Sequence, residues 1–213
     1  MTQAASEIRP LPAAHPVEAN AELRTAARYT PLIRTAKLIG ASGEFLCIVS
    51  DVSATGVSAR LFHPLPNDKT LCLEMPSGDQ LPLETVWEAD GKAGFRFACE
   101  VNLDRVVEGR GQWPKRPIRL NLAMPIQLAG LSGRFEGSLR NISSQGAQIE
   151  CASRLAIEQR IRIKGRFLPE IEAKVRWRHG LAYGLVFDSL IQFAELAKIA
   201  GLVQGLIDTR ASA

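Results

Sequence analysis

What most limits the fold of this 213-residue chain is that its sequence occurs twice over. Asp51-Val-Ser53-Ala-Thr-Gly56 returns as Asn141-Ile-Ser143-Ser-Gln-Gly146, 90 residues later. The same offset carries Ser42-Gly43 onto Ser132-Gly133, Phe45 onto Phe135, Trp87 onto Trp177, Gly94 onto Gly184 and Phe97 onto Phe187, with no gap. A period this long, holding turn residues, aromatics and one polar motif in fixed order, describes two copies of a domain and not a short solenoid unit. Each copy is large enough for a modest core of its own. The expected organisation is a flexible tail over residues 1–22, a first domain over 23–104, a second over 105–190, and a C-terminal helix and tail over 191–213.

Within the first copy, apolar runs predict strands near residues 32–39, 44–53, 56–62, 70–75, 81–88 and 94–101. Turn signals separate them: Ala41-Ser-Gly43, Pro64-Leu-Pro66-Asn-Asp68, Pro76-Ser-Gly78-Asp79 and Asp90-Gly91. The second copy repeats the plan. Short strands at close spacing favour closure, which removes the edges an open sheet would expose. The expected fold class is mainly β, two tandem six-stranded antiparallel β-barrels followed by a C-terminal α-helix. That helix is read over 189–207, where Leu190, Phe193, Leu196, Ala197 and Ala200 keep helical spacing, with Ser189 as its cap, and it is expected to form a lid on the second barrel. One mismatch between the copies is informative. Phe135, Gly137 and Leu139 alternate with polar Glu136, Ser138 and Arg140, whereas the first copy reads Phe45-Leu-Cys-Ile-Val49. Leu46 and Ile48 thus make a second apolar face, expected to be buried against the other domain, the helix or a second subunit.

A composition of 46% hydrophobic and 23% charged residues suits a soluble globular protein, and no stretch of ~20 apolar residues predicts a membrane span. The first residues lack a basic start followed by an apolar run, so a cytoplasmic location is expected. Cys47, Cys72, Cys99 and Cys151 have no C-x-x-C spacing and lie far from His15, His63 and His179, so neither a metal nor a cofactor is expected and the thiols read as small hydrophobes. Charge divides unevenly. Residues 20–104 hold 8 basic against 11 acidic residues, a net of −3, while 105–190 hold 15 against 7, a net of +8. Alternation in Arg160-Ile-Arg162-Ile-Lys164 and Lys174-Val-Arg176-Trp-Arg178 puts these cations on the outside of strands, where they form either a solvated face or a docking surface for an acidic partner, nucleic acid or anionic lipid.

Upstream of the polar motif, Arg24-Thr-Ala-Ala-Arg28 ends 23 residues before Asp51, and Lys115-Arg116-Pro-Ile-Arg119 ends 22 residues before Asn141. R-x-x-x-R before the first strand and [DN]-x-S-x-x-G after the second, together with the Trp87…Gly94-Phe95-Arg96-Phe97 ending mirrored at Trp177…Phe187, resembles the PilZ domain family, receptors for the bacterial second messenger cyclic di-GMP. The resemblance spans about residues 22–190 and implies ligand-binding roles for Arg24, Arg28, Asp51, Ser53 and Gly56 in the first domain. In the second it implies them for Lys115, Arg116, Arg119, Asn141, Ser143 and Gly146, where Lys115 stands in place of the first arginine and cannot fork onto a guanine. Leu23, where some members carry another arginine, favours a single ligand molecule in the first domain.

Physical chemistry agrees with those roles. Arginine forks onto guanine O6 and N7, pairs with phosphate and stacks on a base; a carboxylate accepts from guanine N–H groups, a serine offers a short hydroxyl, and glycine admits close approach. The plainer alternative makes the arginines surface charges and the Asp, Ser and Gly turn formers. Three functions compete on this reading. The first is a non-enzymatic cyclic di-GMP receptor that changes its domain arrangement and acts on a downstream protein partner. The second is a nucleotide-independent adaptor docking through the basic second domain. A nucleic-acid-binding barrel ranks last, since the strands lack interleaved exposed aromatics. No catalytic triad, metal cluster or phosphate-binding glycine loop points to an enzyme.

Overall fold

The computed structural model describes residues 34–102, 117–131 and 133–207, so the tail expected over 1–22 lies outside it. Strands β1 (Arg34–Gly40), β2 (Gly43–Val52), β3 (Gly56–Arg60), β4 (Leu71–Glu74), β5 (Gln80–Ala89) and β6 (Lys92–Phe97) close into a barrel in the order β1-β2-β3-β6-β5-β4. Strands β7 (Met124–Gly130), β8 (Gly133–Ile142), β9 (Gly146–Cys151), β10 (Arg160–Gly165), β11 (Ile171–His179) and β12 (Ala182–Phe187) close a second barrel in the matching order. All pairs are antiparallel. The expected fold class is therefore the observed one.

The two-residue period explains each strand. In β10, Ile161 and Ile163 enter the core while Arg160, Arg162 and Lys164 face water, and in β7 Met124, Ile126 and Leu128 alternate with exposed Pro125 and Gln127. The β5–β6 hairpin turns on Asp90 and Gly91, both left-handed at φ 51° and 69°, as a two-residue primed turn requires. Each barrel also carries two bulges at equivalent places, between Val49 and Asp51 and between Thr85 and Trp87 in the first, between Leu139 and Asn141 and between Val175 and Trp177 in the second. A bulge inserts a residue and re-aims the side chains beside it. Asp51, Trp87, Asn141 and Trp177 each stand at the downstream edge of one.

The helix α1 (Phe193–Val203) starts later than its sequence suggests. Ser189 does not cap it; Gln192 occupies the N-cap without a side-chain cap bond. The reason lies one step upstream, where the Ile191 N–H donates to Ser144 O (3.0 Å), tying the chain to the second barrel before the extended Gln192, and Leu190 is exposed. At the other end Gly205 is left-handed (φ 75°), the Leu206 N–H donates to Gly201 O (2.8 Å) and the Gly205 N–H to Leu202 O (3.3 Å), the paired bonds of a glycine-terminated helix.

The helix is a wedge and not a lid on one barrel. Leu196, Ala197, Ile199 and Ala200 join the second barrel's core, while Phe193 meets Phe62 edge-on at 5.8 Å and Leu206 packs on the first barrel's core. Leu46 on β2 is fully buried in that same second-barrel cluster, and Ile48 is half-buried. The second apolar face of β2 is thus where the two barrels and the helix meet.

Candidate ligand-binding site

The repeated motif is first a turn. Ser53 donates from its N–H (2.8 Å) and its Oγ (3.2 Å) to Gly56 O, and the Gly56 N–H donates back to Ser53 Oγ (3.1 Å). Ser143 donates in the same way to Gly146 O (2.8 and 3.2 Å). From these turns, bonds run to the chain leaving the last strand: Phe97 N–H to Thr55 O and Val101 N–H to Ala54 O in the first barrel, Phe187 N–H to Gln145 O and Ile191 N–H to Ser144 O in the second. Each has its counterpart 90 residues on. The glycines answer to the neighbouring strand. A Cβ on Gly56 would lie 2.6 Å from Phe95 O, and one on Gly146 would lie 2.2 Å from Leu185 O.

The polar heads of the motif are aimed by the bulges. Asp51 Oδ2 accepts from Ser58 Oγ (3.0 Å), and Asn141 Nδ2 donates to Gln148 Oε1 (2.9 Å), the equivalent position. Asn141 Oδ1 also accepts from Arg119 Nη1 at 2.6 Å. Arg119 reaches it because the next residue, Leu120, bridges to Ile142 through two backbone bonds of 2.8 and 2.9 Å, laying the segment along the end of β8.

These residues line two clefts. One, of about 460 Å³, is formed within the first barrel by Asp51, Ser53, Gly56, Trp87, Lys92 and Arg96 among others. Trp87 sits so close to Gly94 that a Cβ there would lie 2.0 Å from the indole Nε1; Trp177 covers Gly184 in the same manner at 1.9 Å. Both indoles remain about half exposed, at 45% and 44%. The other cleft, of about 660 Å³, lies between the barrels: Arg119, Ser143, Gly146 and Val186 face Lys37, Glu74, Pro76 and Gly78 of the first barrel. Forked guanidinium donors, amide and carboxylate acceptors and apolar walls together suit a ligand with both anionic and hydrogen-bonding edges. Among the described residues no group of three His, Cys, Asp or Glu is placed to hold a metal, and no helix is long and apolar enough to cross a membrane.

Residues 114–205 match the PilZ domain family. The second barrel with its helix is thus a PilZ domain. The match falls on the copy with Lys115 at the first basic position, not on the copy with the complete R-x-x-x-R. No curated protein matches the chain. Among solved structures, the PilZ domain of CeSA from a cellulose-synthesizing bacterium is 18% identical, covering 42% of this chain and 97% of that one, at a TM-score of 0.32. PlzA of Borreliella burgdorferi in complex with c-di-GMP is 13% identical (78% and 87% covered, TM-score 0.33), and YcgR of Escherichia coli in complex with c-di-GMP is 10% identical (81% and 83%, TM-score 0.34).

Arg119, Ser143 and Gly146 of the PilZ domain line the cleft between the barrels, with Asn141 bonded to Arg119, and Asp51, Ser53 and Gly56 line the other. Arg24, Arg28, Lys115 and Arg116 lie outside the described residues. Lys37 and Glu74 went unrecognised in the sequence because they reach the PilZ cleft from the other barrel. Trp87 had a signal, the repeated Trp…Gly pair, which reads equally well as sheet packing.

Proposed function

We propose that the chain is a non-enzymatic cytoplasmic receptor for cyclic di-GMP, whose ligand alters the arrangement of the two barrels and so regulates a bacterial partner in motility, biofilm formation or polysaccharide export. The observation that carries this reading is the place of the PilZ cleft, with Arg119, Ser143 and Gly146 on one side and Lys37, Glu74 and Pro76 of the first barrel on the other. A ligand wedged there contacts both barrels, and unequal contact in two arrangements is what a ligand needs to shift their balance. Arg119 can pair with a phosphate or fork onto a guanine. Lys115, Arg116, Asn141, Ser143 and Gly146 complete the proposed PilZ site; Arg24, Arg28, Asp51, Ser53 and Gly56 form a second, in a tandem PilZ-like first domain.

The adaptor alternative draws on the +8 net charge of residues 105–190. Ion pairs weaken it, since Arg160 pairs with Asp188 (2.9 Å), Arg162 with Glu170 (2.8 Å), and Lys174 and Arg176 both with Glu158 (3.4 and 2.7 Å). Calorimetric titration of cyclic di-GMP, with GTP as control, into wild type, Arg28→Ala and Arg119→Ala separates the readings. Loss of one saturable site in each variant supports a two-site receptor. Absence of heat and of thermal shift in the wild type leaves the adaptor.

A further inference from the structure

We infer that Lys37 and Glu44 of the first barrel are positioning residues for the ligand site of the PilZ barrel: they hold the segment that carries Arg119, so the affinity of that cleft is set from the neighbouring barrel. The inference rests on reading Arg119 as a ligand-binding group.

Glu44, on β2, grips two distant segments. One carboxylate oxygen accepts from the Asn121 N–H (2.8 Å) and lies 3.2 Å from Lys37 Nζ; the other accepts from Asn121 Nδ2 (2.7 Å). Its backbone N–H donates to Gln204 Oε1 and its carbonyl accepts from Gln204 Nε2, both at 2.7 Å, at the C-cap of α1. Lys37 Nζ, on a residue only 6% exposed, also meets Glu74 Oε1 (3.0 Å) and donates to the carbonyl of Arg119 (3.4 Å). Arg119 is therefore bracketed, with its own carbonyl held by Lys37, the peptide two residues on held by Glu44, and its side chain aimed at Asn141.

The arrangement is not inherited from the repeat. The equivalent positions in the second copy are Gln127 and Arg134, both exposed. The hairpin tip is also shaped for the contact: a Cβ on Gly43 would lie 1.6 Å from Gln204 Oε1, whereas nothing lies within 4 Å of the same position on Gly133. An ammonium group is expensive to bury unless it is paired, and here its partners fix a backbone that a surface arginine would otherwise have to order on binding. By linkage the coupling is reciprocal: a loosened clamp weakens the ligand, and the ligand tightens the clamp.

The test is titration of cyclic di-GMP into the full chain as wild type, Glu44→Ala, Glu44→Gln, Arg119→Lys and the Glu44→Ala/Arg119→Lys double variant, with a melting curve for each. Glu44→Ala is expected to weaken the Arg119-dependent site about tenfold. Glu44→Gln, which keeps an oxygen for the Asn121 N–H, recovers part of that, and the double variant loses less than the product of the single losses. Unchanged affinity in Glu44→Ala, or losses that simply multiply, overturns the inference while leaving the receptor reading intact. A wild type without an Arg119-dependent site overturns both. Should Glu44→Ala not fold, Lys37→Met carries the same comparison.

Discussion

Gly56 and Gly146 meet the same obstacle, a backbone carbonyl of the adjacent strand, which would stand 2.6 and 2.2 Å from an added Cβ. Backbone cannot swing aside as a side-chain tip can. Alanine at either place is expected to destabilise by about 1–3 kcal/mol, more at Gly146, in denaturant titrations. Equal stability to wild type would mean the strands can separate locally at no cost. Cysteine reactivity is a second residue-scale test. Cys47 is wholly buried, donates weakly to Ala36 O (3.7 Å), and burial pushes its thiol up to about 12, while Cys99 is exposed. A thiol reagent at pH 8 should label Cys99 and spare Cys47 until the chain unfolds, as read by peptide mass spectrometry.

At the scale of elements, α1 is bound to the first barrel around His63. The ring is buried 4.8 Å from Phe45, its Nδ1 lies 2.7 Å from Pro64 O, and its Nε2 is buried without a partner. A Cβ on Gly201 of the helix would lie 3.0 Å from His63 Cβ, so the helix lies against this residue. Burial holds the His63 pKa below its ordinary 6.5, against the opposing pull of the Pro64 carbonyl and the Glu88 charge. The folded state thus favours neutral His63. Its contribution is complete above pH 6.5 and is lost as pH falls from there toward the lower folded value, because the unfolded chain takes up the proton first. Melting temperature should therefore drop between pH 7.5 and 5.5 more steeply in wild type than in His63→Phe. Parallel curves would remove His63 as the cause.

At the scale of the molecule, Leu46 ties the barrels together from the outside of one into the core cluster of the other. Leu46→Glu buries a carboxylate there, and even Leu46→Ala should cost about 2–5 kcal/mol. Ile48→Glu, at a half-buried site, should cost less. A melting temperature unchanged by Leu46→Glu would show that the barrels do not depend on this contact. Such a shared core makes barrel arrangement and stability one property, which is the condition for a ligand in the cleft between them to be felt by both.

Sequence alone determined the two copies, the strand plan, the sense of the second apolar face on β2 and the motif residues, because a 90-residue offset, a two-residue alternation and turn chemistry are all written locally. The start of α1 was not legible, since Ser189 has the chemistry of a cap but the Ile191 N–H is taken by Ser144 O and Gln192 is extended. Nor were the bulges that aim Asp51 and Asn141. Tertiary structure alone decided that the PilZ cleft has a first-barrel wall and that Glu44 meets Asn121, 77 residues away. No period encodes that pairing; it exists because burying Leu46 and α1 between two closed barrels brings one barrel's hairpin to the mouth of the other.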